Sequence, residues 1–283
     1  MRLSWANYSF DFSRKTYLMG ILNVTPDSFS DSGLYFDASR AVERACRMAE
    51  EGADIIDIGG ESTRPGSEPL AIEEELRRTI PVIRALSKEI PVPLSIDTYK
   101  AGVAERALDA GASIINDISG LRFDAGMAKV VSDSKVPVVI MHMKGSPKDM
   151  QKNPVYEALM PEIMDSLRQS ILLAVESGVA EDKIVIDPGI GFGKTFDHNL
   201  EIIHNLSELT LLEKPVLIGP SRKAFIGKAL GDVPPDERLE GTAAAVAISI
   251  LNGAHIVRVH DVKEMAKVAK IADAIKRMRI GDA

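Results

Sequence analysis

Eight times along the chain, a short and almost wholly apolar run rich in β-branched residues gives way to a stretch with helical hydrophobic spacing. The runs fall at 17–22, 55–58, 93–96, 113–116, 136–141, 184–186, 216–218 and 255–259. Strands apolar on both faces must be covered on both faces. That is the condition of a parallel sheet, whose neighbouring strands are joined by crossovers. The segments between the runs can supply them. Asp37 can cap a helix whose apolar positions Ala38, Val42, Ala45 and Ala49 recur at helical spacing up to Gly52. Further helices are expected over 73–88, 99–110, 154–177 and Leu239–Leu251. A last one repeats Val262, Met265, Ala266, Ala269, Ala272 and Ile275. With 283 residues and no break in composition, the pattern predicts an α/β chain folded as a single-domain (β/α)8 barrel over 1–283. A doubly wound open sheet is the alternative.

Composition narrows the function classes. Hydrophobic residues at 45% and charged residues at 27% allow a large core and argue against global disorder. The net charge of −7, with no long basic stripe, argues against nucleic acid as the partner, although a local cationic pocket can still take an anionic substrate. The lone cysteine, Cys46, cannot form an internal disulfide and is expected to be a buried small hydrophobe. No run approaches the roughly 18 apolar residues of a membrane span. Trp5, Asn7 and Asp11 interrupt anything resembling a signal peptide, so a cytoplasmic enzyme is expected.

Polar and glycine-rich clusters follow nearly every run, at the strand ends where barrels of this kind do chemistry. They are 23–31, 59–66, Asp97-Thr98, Asn116-Asp117, 142–145, 187–194, Ser221-Arg222-Lys223, and Arg258 with His260 and Asp261. Arg258 and His260, two apart on a strand, share a face. With Lys223 they form a donor set where barrels commonly bind phosphate; the structural alternative is that Arg258 pairs with a carboxylate such as Asp261. Asp97, Asn116 and Asp187 end three strands and would point into the mouth. Buried carboxylates need partners, which a guanidine-like heterocycle edge would supply; pairing with Lys223 or Arg258 is the alternative. Phe29 and Phe192 are apolar residues in polar loops. Asn23 offers one oxygen to a hard ion, and no cluster has zinc spacing, so Mg2+ carried with a phosphate substrate is the expected metal. His142, His198, His204 and His255 are read as structural or solvated.

The motifs 20–31, 59–66, 95–98, 115–117, 141–143, 187–194, 221–223 and 258–261 together resemble the signatures of the dihydropteroate synthase family, in order and over essentially the whole chain. The resemblance implies condensation of 6-hydroxymethyl-7,8-dihydropterin diphosphate with p-aminobenzoate to give 7,8-dihydropteroate and pyrophosphate. It implies a pterin site of Asp97, Asn116, Asp187 and Lys223, with Met141 against the ring. Asn23, Arg258, His260 and Thr63 would meet the diphosphate, with Mg2+ near Asn23. Phe29, Pro65 and Phe192 would form the p-aminobenzoate pocket. Asp31 would lie beside the reacting methylene, and Arg64 would order the loops. The family is usually homodimeric and is the target of sulfonamides. One departure stands out: many members carry Ser after the lysine, where this chain has Ala224. A pterin-dependent methyltransferase on the same barrel is the nearest alternative.

Overall fold

The computed structural model describes residues 1–25, 38–63 and 66–280. The expected capping role of Asp37 lies outside the described residues. Strands β1 (Arg2–Trp5) and β2 (Tyr8–Asp11) precede the barrel. There follow β3 (Tyr17–Asn23), α1 (Ala38–Glu51), β4 (Ile55–Gly59), α2 (Ile72–Glu89), β5 (Leu94–Asp97), α3 (Ala101–Ala110), β6 (Ile114–Asp117), α4 (Met127–Ser134) and β7 (Val138–Met141). The remainder is α5 (Leu159–Glu176), β8 (Ile184–Asp187), α6 (Phe196–His204), β9 (Leu217–Ile218), α7 (Ala224–Ala229), α8 (Leu239–Leu251), β10 (Ile256–Val259) and α9 (Val262–Ile280).

The eight parallel strands run in the order β8-β7-β6-β5-β4-β3-β10-β9. A parallel bridge from Ile186 to Val216 joins the two ends, so the sheet closes and the open-sheet alternative falls. Strand alternation sorts the side chains. Leu18, Ile56, Ile58, Ile96, Ile115, Ile140, Ile186 and Val257 face outward and form one core with the helices. The buried faces of those helices follow from their spacing, as with Ala41, Ala45 and Met48 on α1. Met19, Ile55, Ile114, Val139, Val185, Leu217 and Ile256 face inward as an apolar layer. Leu3, Trp5 and Phe10 of the β1–β2 hairpin seal that layer from the N-terminal end, with Phe10 stacked on Tyr17 at 4.1 Å. Plugging that end directs a ligand to the C-terminal mouth.

Helix 154–177 narrows to Leu159–Glu176, and 99–110 starts at Ala101. Cys46 is half-buried against the core and donates to Glu89 at 3.6 Å, so it is less enclosed than its pattern suggested. Among the described residues no helix is long and apolar enough to cross a membrane.

Candidate active site

Two residues further along four of the strands from the apolar interior layer, the inward positions turn polar. Asp57 follows Ile55, Asn116 follows Ile114, Asp187 follows Val185 and Arg258 follows Ile256, while Asp97 extends the layer on β5. The inward positions Gly59 and Gly219 carry no side chain and adjoin Asp97 and Arg258, which leaves space at the mouth. Arg258 is the hub. Its Nε donates to Asp57 Oδ2 at 2.6 Å and its Nη2 to Asp97 Oδ2 at 2.7 Å. Asn116 Nδ2 donates to the same Asp57 oxygen at 3.0 Å. Asp57 is fully buried.

Arg258 is therefore not the partner of Asp261, as the structural alternative had it. Asp261 opens α9 and takes Arg222 instead, in a two-bond pair at 2.9 and 2.5 Å. For Asp97 the other alternative holds in part, since one of its oxygens is committed to Arg258. The second, Oδ1, is buried and has no hydrogen-bond partner among the described residues, and the same is true of Asp57 Oδ1 and Ser95 Oγ. Burial drives the Asp97 carboxyl up to about 7; Arg258 opposes this and Asp57 adds to it. Burial also lifts Asp187 to about 6, against the Gly189 backbone N–H that donates to its Oδ1 at 2.6 Å.

Gly189 belongs to the glycine-rich stretch after β8. Its φ is +71°, and a Cβ there would lie 1.9 Å from the His142 carbonyl oxygen, so no other residue fits. That close approach seats the loop against the end of β7. Lys194 closes it: 2% exposed, it meets His142 Nδ1 at 2.9 Å and donates to the Phe192 carbonyl at 3.0 Å. Burial lowers Lys194 to about 7 and holds His142, beside it, neutral near 2. Phe192 lies against Ile118, Met141, Met143 and Met150, an apolar wall beside the polar layer. Met141 and Phe192, assigned by resemblance to different substrates, share this wall.

Lys223 stands at the other side, half-buried, with its Nζ 4.4 Å from the Phe192 ring centroid. Burial and then Arg258 lower it to about 8. Ser221 and His260 meet at 3.0 Å, and burial followed by repulsion from Arg258 and Arg222 keeps His260 neutral, near 3. Of the three expected donors, two are cationic and His260 is a neutral one. Asn23 ends β3 and Thr63 lies in the loop after β4, both half-buried. Phe29, Asp31, Arg64 and Pro65 lie outside the described residues. His204 is exposed, as expected. His198 is half-buried and completes a capping box with Thr195 at the start of α6.

An apolar wall over a floor of carboxylates, an amide and a guanidinium suits a flat heterocycle rich in N–H donors, and the chain belongs to the pterin-binding barrel enzymes. The family model described as pterin binding enzyme matches residues 19–260. The dihydropteroate synthase of Bacillus subtilis is 50% identical over 267 residues, 94% of this chain and 91% of that protein. A crystal structure of the Yersinia pestis dihydropteroate synthase with a sulfonamide drug is 44% identical with a TM-score of 0.93, covering 98% of this chain and 100% of that one. The Xanthomonas albilineans dihydropteroate synthase in complex with 7,8-dihydropteroate is 39% identical with a TM-score of 0.87, covering 98% and 99%. Within the family this chain falls among the dihydropteroate synthases, transferases of folate synthesis, and the methyltransferase alternative is set aside.

Proposed function

We propose that the polar layer at the barrel mouth binds the pterin ring of 6-hydroxymethyl-7,8-dihydropterin diphosphate and drives its condensation with p-aminobenzoate. The observation that carries this assignment is the buried Asp97 carboxylate, tied through one oxygen to Arg258 and without a partner among the described residues on the other. The N–H edge of the pterin satisfies that oxygen and Asp187. Asn116 contacts the ring, Lys223 donates to it from the side, and Met141 packs on its face. Arg258 uses Nε and Nη2 on carboxylates, which keeps Nη1 for the leaving group; His260 adds a neutral N–H, and Thr63 lies on the same side.

Departure of pyrophosphate leaves a carbon cation stabilised by the electron-rich pterin. The protein holds the departing charge, excludes water and lets the aniline nitrogen attack, which needs no strong base. The family resemblance assigns Phe29 and Pro65 with Phe192 to p-aminobenzoate, Asp31 to the reacting methylene and Arg64 to the ordering of the loops. Mg2+ fits as an ion carried by the substrate. The described residues hold no cluster of three His, Cys, Asp or Glu able to bind a metal, and Asn23 would offer such an ion one neutral oxygen. When bound, it would neutralise part of the pyrophosphate charge. A homodimer is proposed from the exposed Leu200, Ile248, Ile271 and Ile275, on α6, α8 and α9, of which α6 and α9 both pack on α8. Incubation with both substrates and Mg2+ should yield dihydropteroate and pyrophosphate; pyrophosphate alone would overturn the assignment of the second substrate.

The charge states give a pH profile. Asp97 and Asp187 accept charge-assisted N–H bonds on both oxygens only when ionised, and Lys223 donates with full charge only when protonated. With the carboxyls at about 7 and about 6 and the amine at about 8, kcat/KM for the pterin diphosphate should climb through pH 6–7 and fall above 8. Asp97→Asn should flatten the acid limb. Because the substrate titrates alike with both enzymes, an unchanged limb would remove Asp97 from the assignment.

Ala224 is exposed and opens α7 directly after Lys223. Restoring the hydroxyl with Ala224→Ser should lower KM for p-aminobenzoate by about threefold, less than a full charge-assisted hydrogen bond, because backbone N–H groups already compete for the carboxylate. KM for the pterin diphosphate should hold. A selective change in the pterin KM would show that residue 224 does not face the carboxylate.

A further inference from the structure

We infer that a buried ion cluster under the β4–α2 loop, with Lys100 held between Glu61 and Glu75, positions that loop for p-aminobenzoate, making Glu61, Tyr99 and Lys100 positioning residues for the second substrate. The inference rests on the assignment of this loop to the p-aminobenzoate side.

The Glu61 side chain is 7% exposed and both of its oxygens are committed. Oε1 accepts from the Tyr99 hydroxyl at 2.8 Å. Oε2 accepts from the Lys100 ammonium and from the backbone N–H of Leu70 at 3.1 Å. One carboxylate thus ties the start of the loop to its end. Lys100 also donates to Glu75 Oε2 at 2.6 Å, and Glu75, on α2, is 1% exposed. Burial pushes the Glu75 carboxyl up, with Lys100 and a Thr98 hydrogen bond opposing. The hydroxyl of Thr98 accepts from the Lys100 backbone N–H at 3.2 Å. Thr98 directly follows Asp97, so the same contacts run from the end of the pterin-binding strand to both ends of the loop.

The rest of the loop's fastening is of two kinds. At its start, α2 presses close: a Cβ on Gly60 would lie 2.7 Å from Thr79 Cγ2, and the Gly60 carbonyl accepts from Arg78 Nη1 at 2.9 Å. At its far side, Gly66 donates to the Pro147 carbonyl at 2.9 Å and Glu68 pairs with Lys148 at 2.9 Å. That last pair is exposed and holds little; displacing Glu61 would strand a buried ammonium between fewer carboxylates. A cluster of buried charge is a poor way to gain stability alone, since apolar packing does as well. What this one supplies is a fixed distance between the pterin strand and the loop that follows β4.

The test is steady-state kinetics of the full-length enzyme carrying Glu61→Gln or Tyr99→Phe, each substrate varied in turn, with thermal melting alongside. Glu61→Gln should raise KM for p-aminobenzoate about tenfold and Tyr99→Phe about threefold, while kcat and the pterin diphosphate KM stay within about twofold. Should Glu61→Gln fail to fold, Tyr99→Phe, which deletes one hydroxyl, carries the test. A lowered melting midpoint with unchanged KM, or a parallel rise of both KM values, would overturn the inference. Pro65→Ala separates the two readings. If it raises the p-aminobenzoate KM and Glu61→Gln does not, the cluster has no positioning role; if neither raises it, the loop does not serve p-aminobenzoate and the inference falls with that assignment.

Discussion

Lys223→Ala is expected to lower kcat/KM for the pterin diphosphate by about a thousandfold while the protein stays folded, since losing a partly desolvated charged contact to a ligand commonly removes several kcal/mol of transition-state stabilisation. The lysine sits after β9 with its ammonium over Phe192 and no ion pair among the described residues. Its field nevertheless reaches Asp187 and Asp97, both of which hold its charge up against burial. Removing it therefore costs the site a donor and a counter-charge without opening the core. A Phe192 ring left uncovered and a slightly lower melting midpoint are the structural consequences to expect. Lys223→Arg should restore little activity, because a planar, forked guanidinium does not reproduce the compact ammonium that lies over the Phe192 ring. Near-normal kcat/KM in the alanine variant would take Lys223 out of the site.

The barrel was legible because a strand buried on both faces leaves a mark that needs no context: an apolar run with no polar alternation. The short helices Met127–Ser134, Phe196–His204 and Ala224–Ala229 left too few turns for a periodic signal. The β1–β2 hairpin was readable but unread, since Leu3 and Trp5 alternate with polar neighbours and Phe10 answers them across Ala6-Asn7. In the site, Asp97, Asn116 and Asp187 announced themselves by ending strands. Asp57 did not, although a carboxylate inside the wholly buried Ile55–Gly59 demands a partner and could have been singled out on that ground. Its partner was out of reach of sequence reasoning, because Arg258 lies 201 residues away and only barrel closure brings them together. Sequence proximity misled in the case of Asp261. Alternation turns Arg258 into the barrel, and the chain then leaves β10 and delivers Asp261 to Arg222.

Arg258→Met should cost stability heavily as well as activity, whereas Lys223→Ala lowers the melting midpoint only slightly. In the folded protein Asp57, fully buried, and Asp97, with a side chain 10% exposed, share one guanidinium at 2.6 and 2.7 Å. Taking away one partner of a buried ion pair costs about 3–5 kcal/mol, because the remaining charge is left in a medium that solvates it poorly. Here two carboxylates lose their cation at once, Asp57 keeping only the Asn116 amide, and Asp97 can relieve the repulsion by taking up a proton. The Asp97 carboxyl already stands at about 7 with Arg258 in place, against an unfolded value of 3.8, and without the arginine it must rise further. A carboxyl whose folded pKa exceeds its unfolded pKa binds extra protons in the folded state. Stability is then fullest in acid and drains away as pH climbs from the unfolded value through the folded one. The melting deficit of Arg258→Met relative to the unaltered protein should therefore be larger at pH 8 than at pH 5. Adding Asp97→Asn to Arg258→Met should return part of the lost stability at pH 8, where it removes a buried charge, and return little at pH 5. Activity with the pterin diphosphate should stay low in both variants, since neither restores a cation near the leaving group. A deficit that is flat with pH, or larger in acid, would mean that Asp97 does not depend on Arg258 for its charge.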